Sequence, residues 1–434
     1  MKFNSNSTRL VLMVVLLITC SPATDSLARD DETTKVDLLV ESLEGKTRAR
    51  LLYLTHAIKL TALERFTISR HLSRTIAELA ESVVARDESA SYMRGELPEE
   101  LEEAIEDCIE IEFGVERLND VRADSDLREQ FLGRTLITTV LARLDLGLAL
   151  SRTQIEQVHE ILENEWDNSG FRYASPAYAS CLPFDGLPIE SIDEVLTARQ
   201  RAYWRLYATE PLAQARLWFA SDDESRIEEF RPQLNHAFEN RIGVLQDHYG
   251  LDQNQLEKLR VLTVRYREEL LEVRQTAYSD VQFTRDHGRP PTDAPQYGRA
   301  MMAPASLLGS EGQWSGYVAR VLQDEAREDY LQLSQARKQL HHSAASYHMA
   351  RTFQRWGNMD GAQTMELYDL CLEHISPDTN WTRGDRGMYF AVFELPELQE
   401  GGLVNAQQMR ALNFRIQNMH KLHELLDDFR SEDE

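Results

Sequence analysis

The chain has 434 residues, more than the ~100–200 of a typical domain, so two domains or one extended repeat array is expected. Its formal net charge of −25 excludes the ordinary nucleic-acid binder, which needs Lys and Arg to neutralise phosphates, and disfavours an anionic membrane surface. Leu, Ala, Glu, Arg and Gln are plentiful, Gly and Pro are few and clustered, and alternating Val, Ile and Thr runs are almost missing; the expected fold class is all-α.

The N-terminal stretch differs in kind from the rest. Lys2 and Arg9 flank the apolar run "LVLMVVLLI", Leu10 to Ile18, which is followed by small residues and then "RDDETTK". This is the pattern of an export signal, residues 1–28, with cleavage after Ala23 or Ala28. Cys20 directly follows the apolar run, so lipid attachment there is the alternative to simple cleavage. The run falls short of the ~18 apolar residues of a spanning helix, and no later segment comes closer, so no integral membrane segment is expected in the mature chain. The expected location is the periplasm or cell envelope. Cys108, Cys181 and Cys371 then remain; they can close at most one disulfide, so stability must come from packing.

Five helix starts share one pattern: an apolar residue, then Ser, Thr, Asp or Asn, then Glu or Gln three positions on. They are Leu60-Thr61-Ala62-Leu63-Glu64, Leu150-Ser151-Arg152-Thr153-Gln154, Leu251-Asp252-Gln253-Asn254-Gln255, Met359-Asp360-Gly361-Ala362-Gln363 and Val404-Asn405-Ala406-Gln407-Gln408. Each reads as a capping box, in which the cap oxygen accepts a first-turn N–H and the Glu or Gln reaches back to the cap's own N–H. The apolar residue before the cap can staple onto the next turn, as Leu150 on Ile155, Leu251 on Leu256 and Val404 on Met409. At Thr61 and Asp360 that position holds Arg65 and Thr364, so those copies are weaker.

The copies also fall in a larger order. With Leu150 set against Met359, "LPIESIDEVLTARQRAYW" from Leu187 comes almost into register with "LPELQEGGLVNAQQMRAL" from Leu395. Upstream, "VERLND" from Val115 and "VARVLQD" from Val318 precede the two stretches. The expectation is two related multi-helix halves, 29–219 and 220–434, from a tandem duplication.

Three segments break the helical pattern: Asp167 to Pro188, Phe283 to Gln313, and Ser376 to Pro396. The first and third occupy matching places and carry large aromatic side chains, namely Tyr173, Tyr178 and Phe184 in one and Trp381, Tyr389, Phe390 and Phe393 in the other. Aromatic groups in non-helical segments are candidate binding residues, although plugging the ends of helical bundles is the favoured reading because most aromatic groups are simply buried.

Residues with catalytic potential find bland readings. His420, His423 and Glu424 share a helical face but lack the His-Glu-x-x-His order of a zinc hydrolase, and His341 and His342, with His348 a turn or two on, are no better, because adjacent histidines point to different faces. The acid pairs from Glu99 to Asp107 read as a solvated helix face. Cys181 and Cys371 have no neighbouring His or Cys-x-x-Cys context, and neither a nucleophile elbow nor a phosphate loop occurs. No catalytic residue, metal site or cofactor follows from the sequence.

The starts around Leu60, Leu150 and Leu251 resemble the LTxxQ motifs of the Spy-like periplasmic chaperones, and the layout is similar to large exported helical proteins that some bacteria encode in many copies. The first resemblance implies a holdase that shields apolar segments of an unfolded client. The residues themselves favour an exported binding or scaffolding protein with a protein partner. A hydrolase or metal-dependent enzyme with a site between the halves is the alternative from another class.

Overall fold

The structure, a computed structural model, describes residues 32–86, 97–167, 186–209, 225–287, 312–376, 386–400 and 402–417. Among these the chain is all-α, with helices and no strand. The helices are α1 Glu32–Ala57, α2 Ala62–Ala85, α3 Glu99–Phe113, α4 Val115–Leu148, α5 Arg152–Glu165, α6 Ile189–Val195 and α7 Ala198–Thr209. They continue as α8 Ser225–Tyr249, α9 Gln253–His287, α10 Gly312–Val321, α11 Asp324–Gly357, α12 Gly361–His374, α13 Arg386–Phe393, α14 Pro396–Gln399 and α15, residues 406–417.

The order and lengths in this series run twice. Both α4 and α11 have 34 residues, and both α5 and α12 have 14. Ahead of them stand a long helical pair and a shorter helix, α1–α2–α3 in one series and α8–α9–α10 in the other. The starts of α4 and α11, Val115 and Asp324, lie as far apart as Leu150 and Met359 do. The likeness between "VERLND" and "VARVLQD" is therefore out of step: the first opens a helix, whereas the second closes α10 and opens α11.

Four of the helix joints use one device. The last turn ends in a left-handed residue, next comes a buried apolar residue, and then the N-cap of the following helix. The left-handed residues are Lys59, Ala149, Gly250 and Asn358, with φ of 54°, 53°, 62° and 50°. The apolar residues behind them, Leu60, Leu150, Leu251 and Met359, are all buried. A left-handed residue lets its N–H turn back onto the closing turn, as Ala149 does to Asp145 O at 2.8 Å and Gly250 to Gln246 O at 2.9 Å. At the joints after α4, α8 and α11 these three residues carry the chain from one helix into the next. The box at Thr61 is complete despite Arg65 in the staple position, because Leu60 is anchored in the core.

The chain forms two compact units, the first made of residues 1–128 with 358–362 and the second of 129–357 with 363–434. The boundary at 219/220 expected from the sequence and the signal at 1–28 lie outside the described residues. In the first unit, α1 and α2 pack together and α3 packs on α2, closing over Leu39, Leu43, Leu54, Ile68, Leu72, Leu101 and Ile105. Arg50 and Arg128 lie 4.7 and 4.3 Å from the ring centroid of Tyr53, and Arg50 also binds Glu102 at 2.9 Å. The acid run of α3 is thus only partly a solvated face. Burial pushes the Glu102 carboxyl above its ordinary value although Arg50 pulls it down, and Glu106 pairs with Arg122 at 3.0 Å.

The second unit has two apolar clusters. One joins α4, α5, α6 and α7 through Leu136, Leu141, Leu144, Leu162, Ile192 and Trp204. The other joins α8, α9, α10 and α11 through Leu234, Phe238, Leu259, Tyr266, Trp314 and Tyr330. The third irregular segment is corrected in part: Tyr389, Phe390 and Phe393 lie on helix α13 rather than in a loop. The turn formers that suggested a loop flank "RGMYFAVF", but Tyr389 and Val392, three apart on one face, are both buried, and that buried stripe supports a helical turn.

Candidate functional site

The site grows from the helix starts of the second unit. Ser151 and Gln154 form a complete capping box at α5, and Thr197 and Gln200 form another at α7, with Thr197 N donating to Gln200 Oε1 at 2.9 Å. The two boxes interlock. Gln154 Nε2 donates to Gln200 Oε1 at 2.8 Å and to Val195 O at 3.0 Å, while Gln200 Nε2 donates to Gln154 Oε1 at 3.0 Å and to Leu148 O at 3.1 Å. A box that is local in the sequence thereby ties two helix starts together.

The same lock recurs at α12 and α15. Gln363 Nε2 donates to Gln408 Oε1 at 3.1 Å and to Leu403 O at 2.6 Å, Gln408 Nε2 donates to Gln363 Oε1 at 2.8 Å, and Gln408 caps Asn405 in turn. A related reach occurs at α9, where Gln255 Nε2 donates to Val321 O at 3.2 Å.

Beneath the first lock lies a buried ionic cluster. Asp145 Oδ1 accepts from Arg337 Nε and from the Leu150 N–H, both at 3.0 Å, and Asp145 Oδ2 lies 3.1 Å from His341 Nε2. Arg337 Nη2 donates to Leu150 O at 2.6 Å, so one acid and one guanidinium grip both polar groups of the same peptide residue. Arg241 Nη2 donates to Leu146 O at 3.2 Å. Burial alone would raise the Asp145 carboxyl, but Arg337, His341 and Arg241 outweigh it and hold the acid below its ordinary range.

Over this cluster opens a cavity of about 330 Å³. Its buried lining includes Arg241, Arg337, Gln200, Leu245, Trp314 and Tyr330, and its exposed lining includes Thr153, Gln157, Asp247 and His248. Asp247 is bound by Arg199 at 3.1 Å. Arg199 lays its guanidinium across α8 at Gly243, close enough that a Cβ there would displace this exposed side chain. Tyr249, also in the lining, donates its OH to Asp329 at 2.8 Å.

The aromatic residues singled out in the sequence fall elsewhere. Tyr173, Tyr178, Phe184 and Trp381 lie outside the described residues, and of Phe390 only the helical backbone is described. Tyr389 is buried with its OH 3.1 Å from His348 Nε2, beside the rings of Phe353 and Trp356. Burial, aided by Arg143, lowers His348 to about 4 and keeps it neutral, and burial raises the Tyr389 phenol. Tyr389 is thus part of the core of the second unit.

Nor do the histidines converge: His341 meets Asp145, His342 Nε2 lies 2.8 Å from Ile375 O, and His348 meets Tyr389. Among the described residues no group of three His, Cys, Asp or Glu could hold a metal ion. Cys108 and Cys371 are free and buried, and burial raises both thiols; Cys181, His420, His423 and Glu424 lie outside the described residues. Among the described residues no helix is long and apolar enough to cross a membrane.

Against known proteins the chain matches no family model, no curated protein and no solved structure. The site therefore rests on its own geometry. Sequence reasoning missed Asp145, Arg241 and Arg337. A signal was present for one of them: Asp145 is the one acid in "LARLDLGLAL", and an acid inside an apolar helical run needs a buried cation.

Proposed function

We propose that the chain is a binding protein exported to the cell envelope, which holds a small molecule in the pocket of its second unit without turning it over. The observation that carries this reading is the state of the pocket's polar lining. Ser151, Gln154, Thr197, Gln200 and Arg337 are each fixed by hydrogen bonds to the helical frame. Groups held in advance lose little freedom when a ligand arrives, which favours binding. The hydroxyls of Ser151 and Thr197 are engaged as caps rather than poised against a base. The basic and apolar leader through Ile18 supports export. The repeated joints, the recurrent Gln–Gln lock and the equal helix lengths support descent by tandem duplication.

The test is native mass spectrometry of the mature protein purified from envelope extract. A non-covalent adduct that is released unchanged on denaturation is expected. Consumption of the released molecule by fresh protein would contradict the reading, as would an adduct-free spectrum.

A second reading, the chaperone-like holdase, is favoured by one observation. In the first unit Leu63, Phe66 and Ile111 are exposed by 74 %, 65 % and 80 %. Such side chains on helices suit contact with apolar segments of a client. Suppression of client aggregation that is lost in a Leu63→Ser, Phe66→Ser, Ile111→Ser variant would support it, and no suppression by the parent chain would dismiss it.

A further inference from the structure

Resting on the binding reading above, we propose that this pocket takes a small molecule that joins an oxyanion, a carboxylate or a phosphate, to a flat apolar body. The cations come first. Arg241 and Arg337 both line the cavity although they are only 3 % and 4 % exposed, so a ligand would meet them where water screens little. Donors of both guanidinium groups are held by Asp145, Leu150 O and Leu146 O, so what the pair offers a ligand is charge: two buried cations stand over one buried acid. The acid beneath them, Asp145, is not part of the lining and is shared among Arg337, His341 and the Leu150 N–H. Asp247 is in the lining but is exposed to water and engaged by Arg199.

The frame adds to this preference. The starts of α5 and α7, helices of 14 and 12 residues, both open onto the cavity through Ser151, Gln154, Thr197 and Gln200. Helix starts carry partial positive charge, which favours an anion there. The apolar body has its own place: Trp314, Tyr330 and Leu245 supply rings and an aliphatic wall. At about 330 Å³ the cavity is at the lower end of ligand pockets, which fits a molecule of one ring with a charged group.

The full mature chain is titrated calorimetrically with phenylphosphate and with benzoate, and with benzyl alcohol as the uncharged counterpart. Saturable binding of at least one anion is expected, with benzyl alcohol at least about tenfold weaker. The tighter of the two anions identifies phosphate or carboxylate as the head group. Val244→Phe fills the cavity from a half-buried position, and Gln157→Glu places a carboxylate in its exposed lining; Thr153→Glu repeats the latter if either variant fails to fold. Each folded variant is expected to weaken the anion at least about tenfold.

Equal binding of benzyl alcohol, or anion binding indifferent to Val244→Phe and Gln157→Glu, overturns the proposal. So does the lack of saturable binding by both anions. The native adduct test separates these failures from failure of the wider reading: an uncharged native adduct leaves a binding protein standing and removes only the oxyanion.

Discussion

Gln200→Ala isolates the lock between helix starts. Gln200 is fully buried, and its amide joins Thr197 N, Gln154 and Leu148 O in one network. Truncation removes those bonds and strands buried partners, of which each costs about 1–3 kcal/mol when left unsatisfied. Because the Thr197 N–H borders the pocket and regains water, the expected loss is about 2–4 kcal/mol rather than the full sum. Gln154 is only half buried, so Gln154→Ala is expected to cost about 1–2 kcal/mol. The double variant should cost less than both together by about 1–2 kcal/mol, the signature of a direct pair. Urea denaturation followed by circular dichroism measures all three, provided the slopes stay constant. The Gln363–Gln408 pair should give a coupling of the same size. A Gln200→Ala effect below about 0.5 kcal/mol, or strictly additive losses, would show that the locks are ornaments of packing.

Three further outcomes follow from other parts of the molecule. Asp145→Asn keeps the shape of the buried cluster but removes the counter-charge of Arg337, and a loss of about 3–5 kcal/mol in urea is expected; a loss under about 1 kcal/mol would contradict the ionic account. His348 titrates near 6.5 when unfolded and about 4 when folded, so the unfolded chain binds the extra proton in between. Stability is therefore full above ~6.5 and falls toward ~4 by on the order of 3 kcal/mol, and His348→Gln should flatten that slope; parallel pH profiles would contradict the assignment. At Gly361 a Cβ would approach Leu127 Cβ to 2.8 Å while the Gly361 N–H binds Asp124 at 2.8 Å, so Gly361→Ala should lower stability by about 1–3 kcal/mol, and a neutral result would mean that this turn yields easily.

Helix starts were legible in the sequence because capping is local. The side-chain amide of Gln154 accepts from the Ser151 N–H three residues before it, so spacing alone defines their bond. What that amide does next was not legible, since its partner Gln200 stands 46 residues away and only folding brings the two together. The same holds for Arg337, which meets Asp145 across 192 residues and gives no local sign of it. Tyr389 was misplaced for the opposite reason. Its flanks of Gly, Asp and Pro spoke for a loop, while the burial that winds "RGMYFAVF" into a helix depends on His348, Phe353 and Trp356 from a distant helix.

The most direct test of the central claim, that locked helix starts shape an anion-binding pocket, is hydrogen exchange of the mature protein with and without phenylphosphate. Slower exchange is predicted at the starts of α5 and α7, around Ser151 and Thr197, and along α8 near Arg241. Exchange unchanged at these three places, while binding is otherwise saturated, would contradict it.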